Sequence, residues 1–270
     1  MHMMFSKLIE RPLKPGILVG GRFRLSGLLG RGSYGLTYKA KDLQTGGDVV
    51  VKQLRNRKRH KPAEVNFFWQ EAHFLQQLRH PAIPRFVAAF KRNGVPFFVM
   101  DSINAPNFEE LIFHQNQRYT EKEAFQILLE VLYVVQYFHR QGIVHRDLRI
   151  PNILWDGTAV HVIDFGLARI LGSSPSSRHR RKKEHPLFRE LSVRSDFFAL
   201  GHFVLFLLYS TFEPSSKKEK SWEEELTLSS PARYVIRRML QLDQPYETAD
   251  ELIADVQYII DSSKKALHLI

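Results

Sequence analysis

The chain contains no cysteine, which excludes disulfides and thiolate metal sites and fits a reducing compartment. It also lacks a long apolar run. The longest nearly apolar stretch, Phe197 to Tyr209, covers 13 positions and contains His202, whereas a membrane span needs roughly 20. That stretch reads as a buried helix, and no transmembrane segment is expected. The amino-terminal MHMMFSKLIERPLKPG has no continuous apolar core and no small-residue cleavage pattern, so no secretory signal is expected and the default location is cytoplasmic. No internal repeat is found, and the 12 histidines are scattered without metal-ligand spacing. Acidic residues are in the minority, 28 against 39 Lys and Arg, for a formal charge of +11. That charge attracts anions without choosing among nucleotides, nucleic acid, acidic lipid surfaces and acidic proteins. It is concentrated at KQLRNRKRHK (52–61) and RHRRKK (178–183), either of which reads most simply as a solvated loop.

What is present suffices for a core: 44% of the 270 residues are hydrophobic and 20 are Phe, enough for one large domain or two lobes. RFRLSGLLGRGSYGLTYKAKD (22–42) alternates apolar and polar residues around a Gly-rich bend, and DVVVKQL follows after Gly46-Gly47. The pattern is that of short antiparallel strands. From Glu64 to Leu78 the period becomes helical, and FVAAF and VPFFVM return to strands around a turn at Asn93-Gly94. After Asp101 the chain turns mainly helical, with EKEAFQILLEVLYVVQYFHRQG stopped by Gly142, then SDFFALGHFVLFLLYS, PARYVIRRML and TADELIADVQYII. DSINAPN (101–107), rich in turn formers, is the hinge candidate.

Several residues could carry chemistry. Gly30-Arg31-Gly32-Ser33-Tyr34-Gly35 has the G-x-G-x-x-G spacing, in which missing side chains let backbone N–H groups approach phosphate oxygens. The dinucleotide fold is ruled against, because a strand, Leu36 to Ala40, follows the glycines where that fold has a helix. Lys52 ends the apolar strand VVVK. Glu71 lies three after Phe68 and four before Leu75, hence on the apolar face of its helix, where a carboxylate is costly unless paired. Lys52 is its obvious partner. In HRDLRIPN (145–152) and HVIDFG (161–166), Asp147 and Asp164 stand at the ends of buried elements with Asn152 between them. Asp164 and Asn152 offer hard oxygens suited to Mg²⁺, and Asp147 remains to orient a hydroxyl and take its proton. Singly, each has a plainer reading, as a turn glycine, a surface lysine or a capping aspartate.

Together, these motifs resemble the protein kinase family, of the eukaryotic-like Ser/Thr type also found in bacteria, from about Phe23 to Ile260. The resemblance implies an α+β, two-lobed fold: an extension (1–21), a small β-rich lobe with one key helix (22–101), and a larger, mostly helical lobe (102–270) whose activation segment covers about 164–190. It implies an ATP- and Mg²⁺-dependent transferase acting on protein Ser/Thr hydroxyls. Gly30, Gly32 and Gly35, with Arg31, Ser33 and Tyr34 between them, would cover the ATP phosphates. Lys52 would contact the phosphates while pairing with Glu71, and Thr37, Val50, Met100 and Asp101 would complete the nucleotide site. Asp147 is similar to the family's catalytic base, Arg149 to the cation beside it, Asn152 and Asp164 to the metal ligands, Arg146 to the residue coupled to the activation segment, and Asp196 to the aspartate holding the catalytic loop.

The chain departs from the family at several places, among them Val50 and Thr37, which stand where Ala and Val are common around the adenine. Arg149 stands where Ser/Thr kinases usually have Lys. The closing Ala-Pro-Glu has His185-Pro186-Leu187 as its nearest match, and the Arg that would pair with its Glu is missing from 240–252. A kinase-fold scaffold with weak or no activity and a small-molecule phosphotransferase therefore stay open as alternatives. SSPSSRHRRKK (173–183) falls in the activation segment. Ser173, Ser174, Ser176 and Ser177 are expected autophosphorylation sites, and the two basic clusters could recruit an acidic activator such as DNA or an acidic surface.

Overall fold

A computed structural model describes residues 10–32, 35–173, 185–213 and 220–267, with side chains up to 262. The described chain divides into two compact units, one comprising residues up to Arg79 with Pro84–Ile103, the other His80–Ile83 with residues from Asn104 onward.

The first unit is an antiparallel sheet of β1 (Leu18–Val19), β2 (Phe23–Arg31), β3 (Gly35–Asp42), β4 (Asp48–Leu54), β5 (Phe86–Arg92) and β6 (Val95–Asp101), in the spatial order β1-β2-β3-β4-β6-β5. One helix, α1 (Pro62–Gln77), accompanies it. The hairpin between β5 and β6 turns at Asn93 and Gly94, whose φ values of 51° and 75° meet the left-handed requirement of a tight turn. Alternation gives the sheet two faces. One buries Phe23, Leu36, Tyr38, Val49, Val51, Phe97 and Val99 in a single cluster, with Leu13 and Ile17 packed against it. From Glu10 onward the segment read as an extension thus belongs to this unit: Leu25 N–H donates to Ile17 O at 2.9 Å, and Leu13 N–H donates to the Tyr38 hydroxyl at 3.1 Å. That hydroxyl donates to buried Gln53 at 2.9 Å, so it both accepts and donates inside the core.

The second unit contains α2 (Phe108–Phe113), α3 (Glu121–His139), α4 (Val193–Leu208), α5 (Trp222–Glu225), α6 (Ser230–Met239) and α7 (Ala249–Leu267), with two short two-stranded sheets, β7 (Ile143–Val144) with β10 (Arg169–Ile170) and β8 (Ile153–Trp155) with β9 (Val160–Val162). A capping box at Thr120 and Glu123 starts α3, and Gly142, at φ 71°, ends its trailing turn. The segment 193–211 is long and apolar enough to cross a membrane by length and composition, and 72% of its most apolar window is buried within the protein. It also carries the fully buried Asp196, whose partners lie on the loop before β8 and at the end of α3.

Candidate active site

In the first unit, glycine is required at one point of the β2–β3 turn. A Cβ on Gly35 would lie 2.6 Å from the Gln53 carbonyl oxygen, whereas one on Gly30 would meet nothing within 4 Å. The Arg55 guanidinium donates to the Gly32 carbonyl from Nε at 3.0 Å and from a terminal nitrogen at 2.7 Å, tethering the turn to the end of β4. Arg31 is exposed beside it; Ser33 and Tyr34 lie outside the described residues.

The strand register assembles the rest. Thr37 pairs with Lys52, Lys52 with Phe98, and Val50 with Met100, which places Thr37, Val50, Lys52 and Met100 on the face opposite the buried cluster. Asp101 pairs with Val49 and so falls on the other face, where its carboxylate accepts from Arg85 at 3.1 Å. The Lys52 ammonium pairs with Glu71 of α1, with side chains 13% and 8% exposed, and sits 6.0 Å from the Phe98 ring centroid. Phe68, one turn before Glu71, packs on Phe98 at 5.0 Å and sets the helix against this face.

In the second unit the loop from His145 to Asn152 is held from below. Asp196 accepts from the backbone N–H groups of His145 at 2.9 Å and Arg146 at 2.7 Å and contacts His139 Nε2 at 2.9 Å. Those bonds stabilise Arg146 in the left-handed region, at φ 63°. His145 Nδ1 accepts from Asp147 N–H at 3.2 Å while Nε2 faces the Ile163 carbonyl at 3.2 Å, an arrangement only the neutral imidazole satisfies. Burial likewise pushes the His145 pKa below the usual histidine value, against the pull of Asp196, Asp147 and Asp164. A pKa lowered in the folded state means that the unfolded chain takes the proton first, so stability is present above about pH 6.5 and is lost below it. Thermal denaturation at constant ionic strength should show Tm falling as pH drops through 6.5, less so in His145→Gln.

Asp147 is buried, and donors surround its carboxylate. Oδ1 accepts from Arg149 Nε at 2.6 Å and Arg189 at 2.9 Å; Oδ2 accepts from Asn152 at 3.1 Å and the second Arg149 nitrogen at 3.2 Å. Asn152 thus spends its amide N–H groups on Asp147, which turns its carbonyl oxygen the other way. Asp164, at φ 66°, caps the turn into Gly166 at 3.3 Å, and Ile163 N–H donates to Asn152 O at 3.0 Å, tying the two oxygen-bearing residues to one stretch of backbone. An amide oxygen and a carboxylate are hard donors that fit Mg²⁺ completed by water and phosphate.

Sequence reasoning missed Arg189. It is 7% exposed, and its guanidinium reaches both Asp147 and the Arg146 carbonyl, while Arg146 donates back to the Arg189 carbonyl from Nε at 3.1 Å and to Leu167 O at 3.4 Å. Arg146 therefore couples both ends of the activation segment to the catalytic loop through their backbone. Nothing local in HPLFREL signals this, because the Asp147 contact spans 42 residues. Beyond the segment, Arg194 of α4 forms an exposed ion pair with Glu247. Ser173 donates its hydroxyl to Ile170 O at 2.7 Å; Ser174, Ser176, Ser177 and the cations at 178–183 lie outside the described residues.

A unit whose sheet and helix supply the lysine–glutamate pair and a helical unit carrying the aspartate loop define a phosphoryl-transfer enzyme of the two-lobed α+β type. Residues 23–268 match the protein kinase domain family, and the chain belongs to it. It is 35% identical over 255 residues to a probable serine/threonine-protein kinase, YbdM, of Bacillus subtilis, covering 94% of this chain and 96% of that one. It is also 26% identical to a probable serine/threonine-protein kinase of Streptomyces coelicolor and 28% to serine/threonine-protein kinase B of Synechocystis, spanning 40% and 46% of their lengths.

Proposed function

We propose the following division of labour in this protein serine/threonine kinase, which transfers the γ-phosphoryl group of ATP to protein hydroxyls. The Gly30–Gly35 turn and Lys52 grip the phosphates, with Thr37, Val50 and Met100 beside them. Asn152 and Asp164 hold Mg²⁺, which supplies charge neutralisation on the phosphates when bound. Asp147 orients the acceptor hydroxyl and takes its proton. The observation that carries this assignment is the Asp147 carboxylate, fixed by donors from Arg149, Asn152 and Arg189 within 3.2 Å. Four donors fill about four lone-pair sites, so a substrate hydroxyl must replace one of them. Arg149, with a side chain 38% exposed against 5% for Arg189, is the one able to turn away, toward the transferring phosphoryl. Its planar fork differs there from the point charge of a lysine. Glu71→Gln should lower stability by about 1–3 kcal/mol, since Lys52 loses the partner of a buried charge, and should raise KM for ATP; denaturant titration and steady-state kinetics check both.

Regulation falls to the basic clusters and the serines. In 52–61, Lys52, Arg55 and Lys58 are engaged with Glu71, Gly32 and Glu64. Arg11, Arg57, Arg59, His60 and Arg92 outnumber the single carboxylate of Glu10 along a groove of about 860 Å³, and Arg92 and Glu10 each have a buried side-chain atom without a partner among the described residues. That groove suits an acidic activator. The Arg146 guanidinium is committed to backbone carbonyls, so a phosphate on Ser173, Ser174, Ser176 or Ser177 finds its cations in RHRRKK. We place the protein in the cytoplasm, with α4 as a core helix.

The test is transfer from γ-labelled ATP with Mg²⁺ to itself and to general protein acceptors, with and without DNA, across a salt series, and with the label mapped. Protein labelling on Ser/Thr, stimulated by DNA less as salt rises, is expected. Nucleotide binding without any label would overturn the transferase reading, and stimulation indifferent to salt would overturn the acidic activator.

A further inference from the structure

On the sheet face opposite Lys52, the groove of about 860 Å³ has three walls, all within the first unit: the segment from Glu10 to Leu13, the turn from Asn56 to His60, and the end of β5 at Arg92 and Asn93. Its floor is apolar, from Leu13, Val95 and Phe97. Its volume falls in the range of about 300–1,000 Å³ usual for small-molecule sites. Guanidinium groups crowd the rim. Arg11 and Arg57 are exposed, and Arg59 bonds only neutral acceptors, His60 Nε2 at 2.8 Å and the Asn93 carbonyl at 3.4 Å. Because arginine can only donate, His60 accepts there and keeps Nδ1–H as a donor. Among the described residues no carboxylate besides Glu10 lines the groove. Glu10 takes the Asn56 backbone N–H on Oε1 at 2.7 Å, but its Oε2 is buried without a hydrogen-bond partner, and so is one terminal nitrogen of Arg92. One groove thus holds a buried acceptor and a buried donor, each costly while unmatched.

We infer that this groove is a second nucleotide site, separate from the ATP site, which takes a phosphorylated nucleotide whose base carries an exocyclic amine. It rests on the reading of the groove as an anion site and not on transfer activity. The cations select the phosphate. Guanidinium groups match phosphate oxygens two at a time, and four of them with one imidazole donor leave a positive rim that a phosphate dianion neutralises. Glu10 selects the rest of the ligand. A bare polyphosphate would set its charge against that carboxylate, whereas an amine gives Oε2 the hydrogen it lacks. Carboxylate to amine and arginine to ring acceptor are the pairings by which proteins read base edges. Adenine, cytosine and guanine each carry an amine and an acceptor, so one base serves Glu10 and Arg92 together while its face rests on the apolar floor.

Calorimetric titration of the full chain tests this, with the ATP site first saturated by adenosine, which has no phosphate to offer the arginines. In at least one of the pairs CDP/UDP and GDP/IDP, the member with the amine should bind about tenfold tighter, because a site built to accept a hydrogen rejects the analogue that lacks it. Arg57→Met and Arg92→Met should each weaken that binding about tenfold; Arg57 is exposed, so its variant keeps the fold. Glu10→Gln should erase the preference within the pair and leave pyrophosphate, the probe without a base, bound no more weakly. Equal binding within both pairs, or binding indifferent to both arginine variants, would overturn the inference. A DNA arm separates it from the activator reading. Stimulation of labelling by DNA that persists in Arg57→Met, where the nucleotide is bound more weakly, would uphold the nucleotide site and move the DNA contact elsewhere. DNA binding lost in Arg57→Met, with none of the four nucleotides bound, would overturn the nucleotide site and keep the acidic activator. Selective nucleotide binding without any phosphoryl transfer would uphold the site and overturn only the kinase reading.

Discussion

Asp147→Asn is expected to reduce phosphoryl transfer by roughly 10²–10⁴-fold, the range associated with losing a positioned general base. The substitution preserves shape, but an amide takes no proton from a hydroxyl and turns N–H groups toward some of the donors that the carboxylate accepted. Those donors are Arg149, Asn152 and the buried Arg189, the last still held by the Arg146 carbonyl. The fold should therefore survive with some loss of stability, and nucleotide binding, assigned in the proposal to Lys52 and the glycine turn, should be unchanged. Labelled-ATP kinetics beside circular dichroism and nucleotide titration read the three quantities separately. Transfer within a fewfold of the parent protein would remove Asp147 from the role of base.

Asp196→Ala should produce the largest loss of stability of any single change in the second unit, about 3–5 kcal/mol, the cost of removing one side of a buried charged network. The carboxylate is fully buried and serves three nitrogens, of His139, His145 and Arg146. Two of these are backbone donors with no other acceptor within their loop, and one belongs to a residue held at φ 63°. Against a typical total of about 5–15 kcal/mol, such a loss leaves a marginal domain. Urea denaturation gives the free energy, and activity measured on the folded fraction should still fall, because the backbone that carries Asp147 loses its anchor. Asp196→Asn keeps one acceptor oxygen and should lie between the two.

The nucleotide half of the site was legible because strands and helices are periodic. Placing Lys52 at the end of VVVK and Glu71 on an apolar helix face is arithmetic of periods 2 and 3.6, and the two meet as that arithmetic requires. The same alternation, applied with the actual strand pairing, separates Asp101 from Met100, a distinction hidden until β4 and β6 were aligned. HRDLRIPN and HVIDFG were legible as local motifs, since His145 to Asn152 and Asp164 lie within twenty residues and flank one hairpin. The stop of α3 followed from Gly142 in the same way, through a left-handed conformation glycine adopts without strain.

By itself, then, the sequence determined the family, the alternation of a strand-rich and a helix-rich half, and the candidates for phosphate, metal and base roles, all of which depend on short spacings and backbone preference. Only the tertiary structure decided what surrounds them. Arg189 comes to Asp147 across 42 residues and Asp196 to Arg146 across 50, distances over which no local period reports. The seating of Leu13 and Ile17 against the sheet, the tether from Arg55 to Gly32, and the groove that gathers Glu10, Arg57 and Arg92 are likewise products of chain return. The physical reason is that a buried guanidinium or an open groove depends on what long-range packing brings beside a residue, and residue type alone carries no record of that neighbour.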